Sequence, residues 1–362
     1  MVNSTKRNAA FLAVAGIAMV IALHSVLLVG YDFAYWYWPI PRAWLAGTTA
    51  LYDAASLQFF SPPWTVWLLL PFALSDIQWG MTALTVLSLA IVGFVAFSVA
   101  KEEHAARPVL IVAAAILCPY SLTALFVGTL DPWALAGIYS CYLALGRRQP
   151  VLFGIGLLLA LTRPQQCWLT LPVLLMGLRN WPREMVAKSL VLPAIVFLVT
   201  LPFFGFDWPL RLVQSYASTP PFPYLITSTY NVARLSGVPV ALFAAGTIAL
   251  GAYVLWTVWR EGVTVRTLGL AVAANAVVAP YMLSHSYVTV LAIAWAALAA
   301  RRPRLALLLY VVSLPMLIRA GGLWDRVGLI DVCFPLLLVA VLLWERAKMP
   351  GRVPSPWRGE PA

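Results

Sequence analysis

Long apolar runs recur from one end of this chain to the other, and that recurrence limits the fold more than any motif does. They cover roughly 9–30, 62–74, 78–100, 108–126, 132–146, 150–161, 164–178, 189–205, 237–258, 268–283, 286–300, 304–319 and 327–344. The connections between them are too short to build a separate soluble domain. Only 10% of the residues are charged, against about 25% in ordinary domains, and the mean hydropathy is +0.87. Inside a bilayer the backbone must satisfy its own hydrogen bonds, so apolar runs of this kind are expected as α-helices. The expected fold class is therefore an all-α polytopic integral membrane protein. One transmembrane domain covers 1–345, and 346–362 forms a disordered cytoplasmic tail.

The net charge of +11 does not point to nucleic acid, because the basic residues fall in short clusters between apolar runs. That is the positive-inside pattern of membrane proteins, and it orients the chain. A full span needs about 20 residues, and 62–74, 150–161 and 164–178 are too short. With the N-terminus inside and 62–74 dipping into the outer half of the bilayer, 18 of the 24 Lys and Arg lie inside and 6 outside. A full crossing by 62–74 would invert every later loop and put Arg301-Arg302-Pro303-Arg304 outside. We therefore expect about twelve spanning helices with both termini cytoplasmic, in the inner (cytoplasmic) membrane. Lys6 and Arg7 precede 9–30, which is expected as an uncleaved first membrane helix. All six glutamates then fall inside, and all seven aspartates lie outside or at outer helix ends. Much of that asymmetry is expected to be helix capping by Asp.

Two outer loops are sizeable, 31–61 and 206–236. In the first, 34–46 suits a short helix lying in the interface, and 62–74 is its re-entrant continuation. The second holds Ser218-Thr-Pro-Pro-Phe-Pro-Tyr224. No internal repeat links the two halves. Cys118, Cys141, Cys167 and Cys333 sit in apolar runs at unrelated spacings and are expected as buried thiols. His24 is expected to be packed within the first helix and His104 to be solvated.

On this topology Asp32, Asp131, Arg163 and His285 all sit at outer helix ends, although they are spread along most of the chain. Ionisable groups near a membrane are costly, so they are commonly paired or functional. Asp32 follows the first helix within an aromatic run, Gly30 to Pro39, and reads either as an interfacial cap or as a catalytic base. Asp131 stands before Pro132, as an N-cap does with proline at N1. Arg163, in Leu161-Thr-Arg-Pro-Gln-Gln166, joins two short segments and suits phosphate, which arginine binds through charge-assisted hydrogen bonds. The alternative is a side chain snorkelling to the surface. His285 lies in a turn on the same face, as a site residue or a structural one. Tyr35, Trp36 and Trp38 suit either stacking on a sugar or a plain interfacial belt. Phosphate-binding glycine loops, His-Glu-x-x-His and nucleophile elbows are absent from the sequence, and the carboxylates form no close pair that would indicate a divalent metal.

Several motifs occur in a particular order: Asp32 with its aromatics; Arg42-Ala-Trp-Leu-Ala-Gly47 leading to Leu51-Tyr-Asp53; Ser61-Pro-Pro63 opening a short helix that ends Leu70-Pro-Phe-Ala73; Gly128-Thr-Leu-Asp131; Arg163-Pro-Gln165; and Ala279-Pro280 with His285. Taken together, the chain resembles polyprenyl-phosphate-dependent glycosyltransferases of the GT-C superfamily, above all glycosyltransferase family 87, the mannosyltransferase-like bacterial membrane proteins. The resemblance implies a lipid-linked sugar donor, a lipid or glycan acceptor and an outer-face site, with the first-loop aspartate, here Asp32, as base. It makes Arg163 and His285 candidates for the donor phosphate, with Asp131, Tyr35, Arg42 and Gln165 as further substrate-binding residues. No metal and no other cofactor is indicated. The chain departs from the family where Arg163 replaces a lysine and Thr129 a glutamine.

Two other classes fit the composition. A transporter or flippase would carry ionisable groups near mid-membrane on discontinuous helices, commonly with a repeat. A polysaccharide polymerase or ligase would lean on arginines of a large outer loop, where Arg211 and Arg234 lie.

Overall fold

The structure is a computed structural model, and it describes residues 20–48, 51–52, 59–218, 228–316 and 331–348. It is built from helices, with no strand among the described residues. Lys6, Arg7, Asp53, the 219–224 stretch of the second loop, Arg319, Asp325, Arg326 and the end of the tail lie outside that set.

Proline sets many of the helix starts. Having no N–H to lose and a fixed φ, it suits the first turn of a helix. It opens α5 (Pro108–Leu117), α6 (Pro119–Val127), α8 (Pro150–Ala160) and α16 (Pro303–Ser313), and it lies in the first turn of α7 (Asp131–Arg147). Pro119 also splits the expected 108–126 run, because Cys118 before it is extended and the two halves meet at 57°. The expected 164–178 run is broken too. Pro164–Cys167 is a 3₁₀ turn and only Thr170–Gly177 (α9) is α-helical. The expected 34–46 helix is a π-turn, Phe33–Tyr37, followed by α2 (Pro39–Leu45).

Among the described residues, three helices are long and apolar enough to cross a membrane: α4 (Ile77–Glu102), α10 (Arg183–Phe204) and α13 (Val240–Glu261). The bent α5–α6 pair makes a fourth if counted as one span. The short helix α3 (Trp64–Ala73) has 10 residues and reaches about 15 Å, half of a hydrocarbon core of about 30 Å. Only 11% of the apolar window of α10 and of α13 is buried, so both helices lie at the periphery. The centre is made by α14 (Val265–Val278) and the segment running through the π-turn Val290–Trp295 into α15 (Ala296–Arg301). Nearly every residue of these is buried. Small side chains allow this, since a Cβ at Gly269 would stand 3.3 Å from the Ala294 Cα.

Helices α7 and α8 form an antiparallel hairpin around Arg148 and Gln149. They approach so closely that a Cβ at Gly137 would lie 2.1 Å from the Ala160 nitrogen. This hairpin brings Asp131, the first residue of α7, to the same end as Arg163, three residues past α8. At the opposite end the glutamates are paired. Glu103 accepts from Arg266 at 2.9 Å and pairs with Arg301 at 3.2 Å. Glu345, on α17 (Cys333–Ala347), pairs with Arg301 at 3.1 Å and Arg302 at 3.3 Å. Glu102 accepts from the Tyr142 hydroxyl, and Glu261 pairs with Arg346. Tyr142 stands 11 residues along α7 from Asp131, about 16 Å away. The two sets of acids are thus held at opposite ends of the bundle.

His24 stacks on Trp79, with ring centroids 3.8 Å apart, and His104 is exposed, as the sequence predicts. Cys118, Cys141 and Cys167 are buried free thiols. Cys333 departs from expectation and is exposed, because it sits on the outward side of the first turn of α17.

Candidate functional site

The candidate site forms where four interruptions of helix meet: the 27–30 stretch just before Asp32, the Gly128–Leu130 turn, the Thr162–Cys167 bend and the Ser284–Tyr287 3₁₀ turn. Helix ends leave backbone and side-chain polar groups free of the helical ladder, which is why polar chemistry collects there.

Two glycines lock the first pair of interruptions together. Gly30 runs against the end of α6, where a Cβ would lie 2.3 Å from the Phe126 carbonyl oxygen and 2.4 Å from the Val127 carbonyl carbon. Gly128 caps α6 in the left-handed region, φ +74°, and a Cβ there would meet Met81 Sδ and Phe33 Cβ, each at 2.8 Å. The loop that carries Asp32 is thereby pressed onto the turn that carries Thr129. Phe33, Tyr37, Leu130 and Trp133 bury into one cluster with α3 and α4 and hold it there.

Asp131 is the hub, with no exposure. Its Oδ1 accepts from Gln166 Nε2 and from Ser286 Oγ at 3.1 Å. Its Oδ2 accepts from Thr129 Oγ1 at 2.7 Å and lies 2.5 Å from His285 Nδ1. Arg163 Nε stands 3.8 Å from Oδ1. The capping expectation for Asp131 is therefore corrected. Leu130 occupies the cap position, no side chain caps α7, and both carboxylate oxygens are turned to the site. Capping by Asp does occur at Asp76, which accepts from the Gln78 N–H at 2.9 Å at the start of α4.

Arg163 bridges the two aspartates. Its Nη2 donates to Thr129 Oγ1 at 2.5 Å and to Asp32 Oδ2 at 3.3 Å, and its guanidinium lies 5.6 Å from the centre of the Tyr37 ring. Its side chain is 8% exposed, so it does not snorkel. Asp32 makes no cap bond to the π-turn that follows it. Its side chain is the more open of the pair at 18% exposed. Burial raises the Asp32 carboxyl above its ordinary range, with the Arg163 charge opposing. Asp32, Asp131, Arg163 and His285, separated by up to about 250 residues, thus form one connected set.

Three predicted residues are placed elsewhere or turned away. Tyr35 is 54% exposed and packs on Tyr31, because residues 33–37 form a π-turn that directs Tyr37 rather than Tyr35 inward. Arg42 donates to the Ala73 carbonyl at 3.0 Å and stacks on Trp38, tying α2 to the end of α3. Gln165 is buried, but its side chain makes no contact with the acids; Gln166 does so instead. The 3₁₀ turn sets which of the two glutamines points inward, and Asn275 of α14 holds that turn. Asn275 donates to the Gln165 carbonyl at 3.1 Å and accepts from the Leu169 N–H at 2.7 Å. Sequence reasoning missed Asn275, Thr129, Gln166, Ser286, Thr289 and Tyr37 as site residues. Thr129, Gln166, Ser286 and Thr289 stand within four residues of Asp131, Arg163 or His285, and Tyr37 five residues past Asp32, whereas Asn275 carries no such signal. Thr289 donates to Gln166 Oε1 and so extends the network into the π-turn after the histidine.

Among the described residues, no group of three His, Cys, Asp or Glu side chains is placed to hold a metal ion. No protein-family model matches the chain, and comparison with curated proteins and with solved structures finds no match.

Proposed function

We propose that the chain is a membrane glycosyltransferase of GT-C type, with about twelve spanning helices and both termini cytoplasmic. It would transfer a hexose, mannose-like, from a polyprenyl-phosphate donor to a lipid or glycan acceptor at the outer face. The observation that carries this reading is the convergence of a partly open carboxylate, Asp32, with a buried arginine and a histidine, all at one end of the bundle.

The chemistry is a direct displacement. An acceptor hydroxyl attacks the anomeric carbon, the bond from that carbon to the phosphate oxygen breaks, and the electron pair leaves with the phosphate. Asp32 takes the hydroxyl proton. Arg163 and His285 supply positive charge and hydrogen bonds to the departing phosphate. Asp131 holds His285 through Nδ1, which leaves Nε2 for the substrate. The arriving phosphate competes with Asp32 for Arg163 Nη2, and that exchange frees the carboxylate to act as base. The prenyl tail of the donor would lie against the more exposed aromatics Trp67, Phe203 and Phe204 beside α3 and α10.

The test is sugar transfer by the purified protein in lipid from radiolabelled polyprenyl-phosphate sugars. Asp32→Asn is expected to lose about 10²-fold or more of the rate. Undiminished transfer by that variant would remove Asp32 as the base.

One observation favours a second reading, a transporter or flippase. The four ionisable groups lie at helix discontinuities, as they do in many transporters. Solute uptake into liposomes, with no transfer from any donor, would decide for it.

A further inference from the structure

At the end of the bundle remote from Asp131, the C-terminal turn of α7, the 3₁₀ turn Leu178–Asn180 and the C-terminal turn of α13 flank a shallow cleft. The floor is apolar, with Leu145, Met176, Val258 and Val263, and Arg148 and Arg179 stand at the rim.

Neither arginine has a carboxylate partner among the described residues. Arg179 donates to the Trp259 carbonyl at 2.6 Å, and its guanidinium lies 4.4 Å from the centre of the Trp259 ring. Both contacts position the cation and neither neutralises it. The nearby glutamates are committed elsewhere: Glu102 to Tyr142, Glu103 to Arg266 and Arg301, and Glu261 to Arg346.

Arg148 ends α7 at φ +52°, a left-handed conformation in which glycine is at ease and arginine is not. Backbone geometry therefore gives no reason for an arginine at this position, whereas its side chain lines the cleft. Beside the cleft, Trp256 and Trp259 of α13 are 51% and 61% exposed, and Arg260 lies over the Trp256 ring. Exposed tryptophans at one end of a peripheral apolar helix mark headgroup depth.

We propose that this cleft binds the headgroup of an anionic phospholipid. Arg148 and Arg179 take the phosphate, and the acyl chains run along the exposed face of α13. Guanidinium groups match phosphate geometry through paired hydrogen bonds, and basic pockets between helices on the cytoplasmic side are suited to anionic headgroups. The inference rests on the membrane reading of the chain and on its charge orientation. It is independent of any transfer activity at the other end.

Native mass spectrometry of the full chain in detergent, with phosphatidylglycerol or phosphatidylcholine added, tests it. The wild type is expected to retain phosphatidylglycerol at least fivefold over phosphatidylcholine. Arg148→Gly combined with Arg179→Gln is expected to bring the two lipids to parity. The single variant Arg148→Gly, which suits the backbone, is expected to lower the preference by itself and carries the test if the double variant does not fold. Arg183→Gln, outside the cleft, should leave the preference intact. The proposal is overturned by a wild type without preference, by an undiminished preference in both cleft variants, or by an equal loss in Arg183→Gln, which would signify bulk charge. Inorganic phosphate raising the thermal stability of the wild type as much as phosphatidylglycerol does would assign the cleft to a soluble anion and also overturn the lipid.

Discussion

Asp32 and Asp131 are both carboxylates on one arginine, yet their surroundings separate their roles. Asp131 is enclosed by Thr129, Gln166, His285 and Ser286, so removing it strands a buried arginine. Asp131→Ala is expected to destabilise the protein by about 3–5 kcal/mol, seen as a fall in thermal unfolding temperature in detergent. Asp32→Asn should leave that temperature almost unchanged while transfer is lost, since Asp32 is the more open of the two. On the proposed mechanism Asp32 works as base only when ionised, and burial raises its carboxyl above the ordinary 3.8 with Arg163 opposing. Rate is therefore expected to fall, as pH drops, through a pKa above 3.8. Arg163→Gln should move that acid limb further up in pH. An acid limb unmoved by Arg163→Gln would disconnect the two residues.

At the scale of elements, the decisive features are breaks rather than helices. Prolines in the sequence mark many of the breaks, but not how the broken ends are aimed. Whether Gln165 or Gln166 faces the acids depends on a 3₁₀ turn latched by Asn275, a residue more than a hundred positions away. Asn275→Leu removes one donor and one acceptor from two buried backbone groups, each costing about 1–3 kcal/mol when left unsatisfied. A loss of several kcal/mol by chemical denaturation is expected, with Gln166 released from Asp131. Tyr35 was legible as an aromatic beside Asp32, but the π-turn places Tyr37 against Arg163 instead. Periodicity alone does not reveal a π-turn.

For the whole molecule, the separation of acids is the strongest link between sequence and structure. Every glutamate among the described residues is paired with a cation or a tyrosine, and Glu102, Glu103, Glu261 and Glu345 share the end remote from Asp32. Single cysteines test whether these ends lie on opposite sides of a membrane. Cys118, Cys141 and Cys167 are buried, so replacing exposed Cys333 leaves a quiet background. Tyr35→Cys is expected to react with a membrane-impermeant maleimide on intact cells, and Arg183→Cys only after lysis. Labelling of both on intact cells would reject the topology.

The sequence by itself determined the helical class and the candidacy of Asp32, Asp131, Arg163 and His285, and its basic clusters supplied the orientation that the cysteine labelling tests. It could do so because apolar run length, proline position and charge placement act locally. Only the tertiary structure decided that these four residues touch, that Asp131 is a hub and not a cap, and that Tyr35, Arg42 and Gln165 turn elsewhere. Those outcomes depend on how closely helices approach at Gly30, Gly128 and Gly137 and on how each break is aimed. Contacts between distant parts of the chain set such approaches, and no local pattern in the sequence records them.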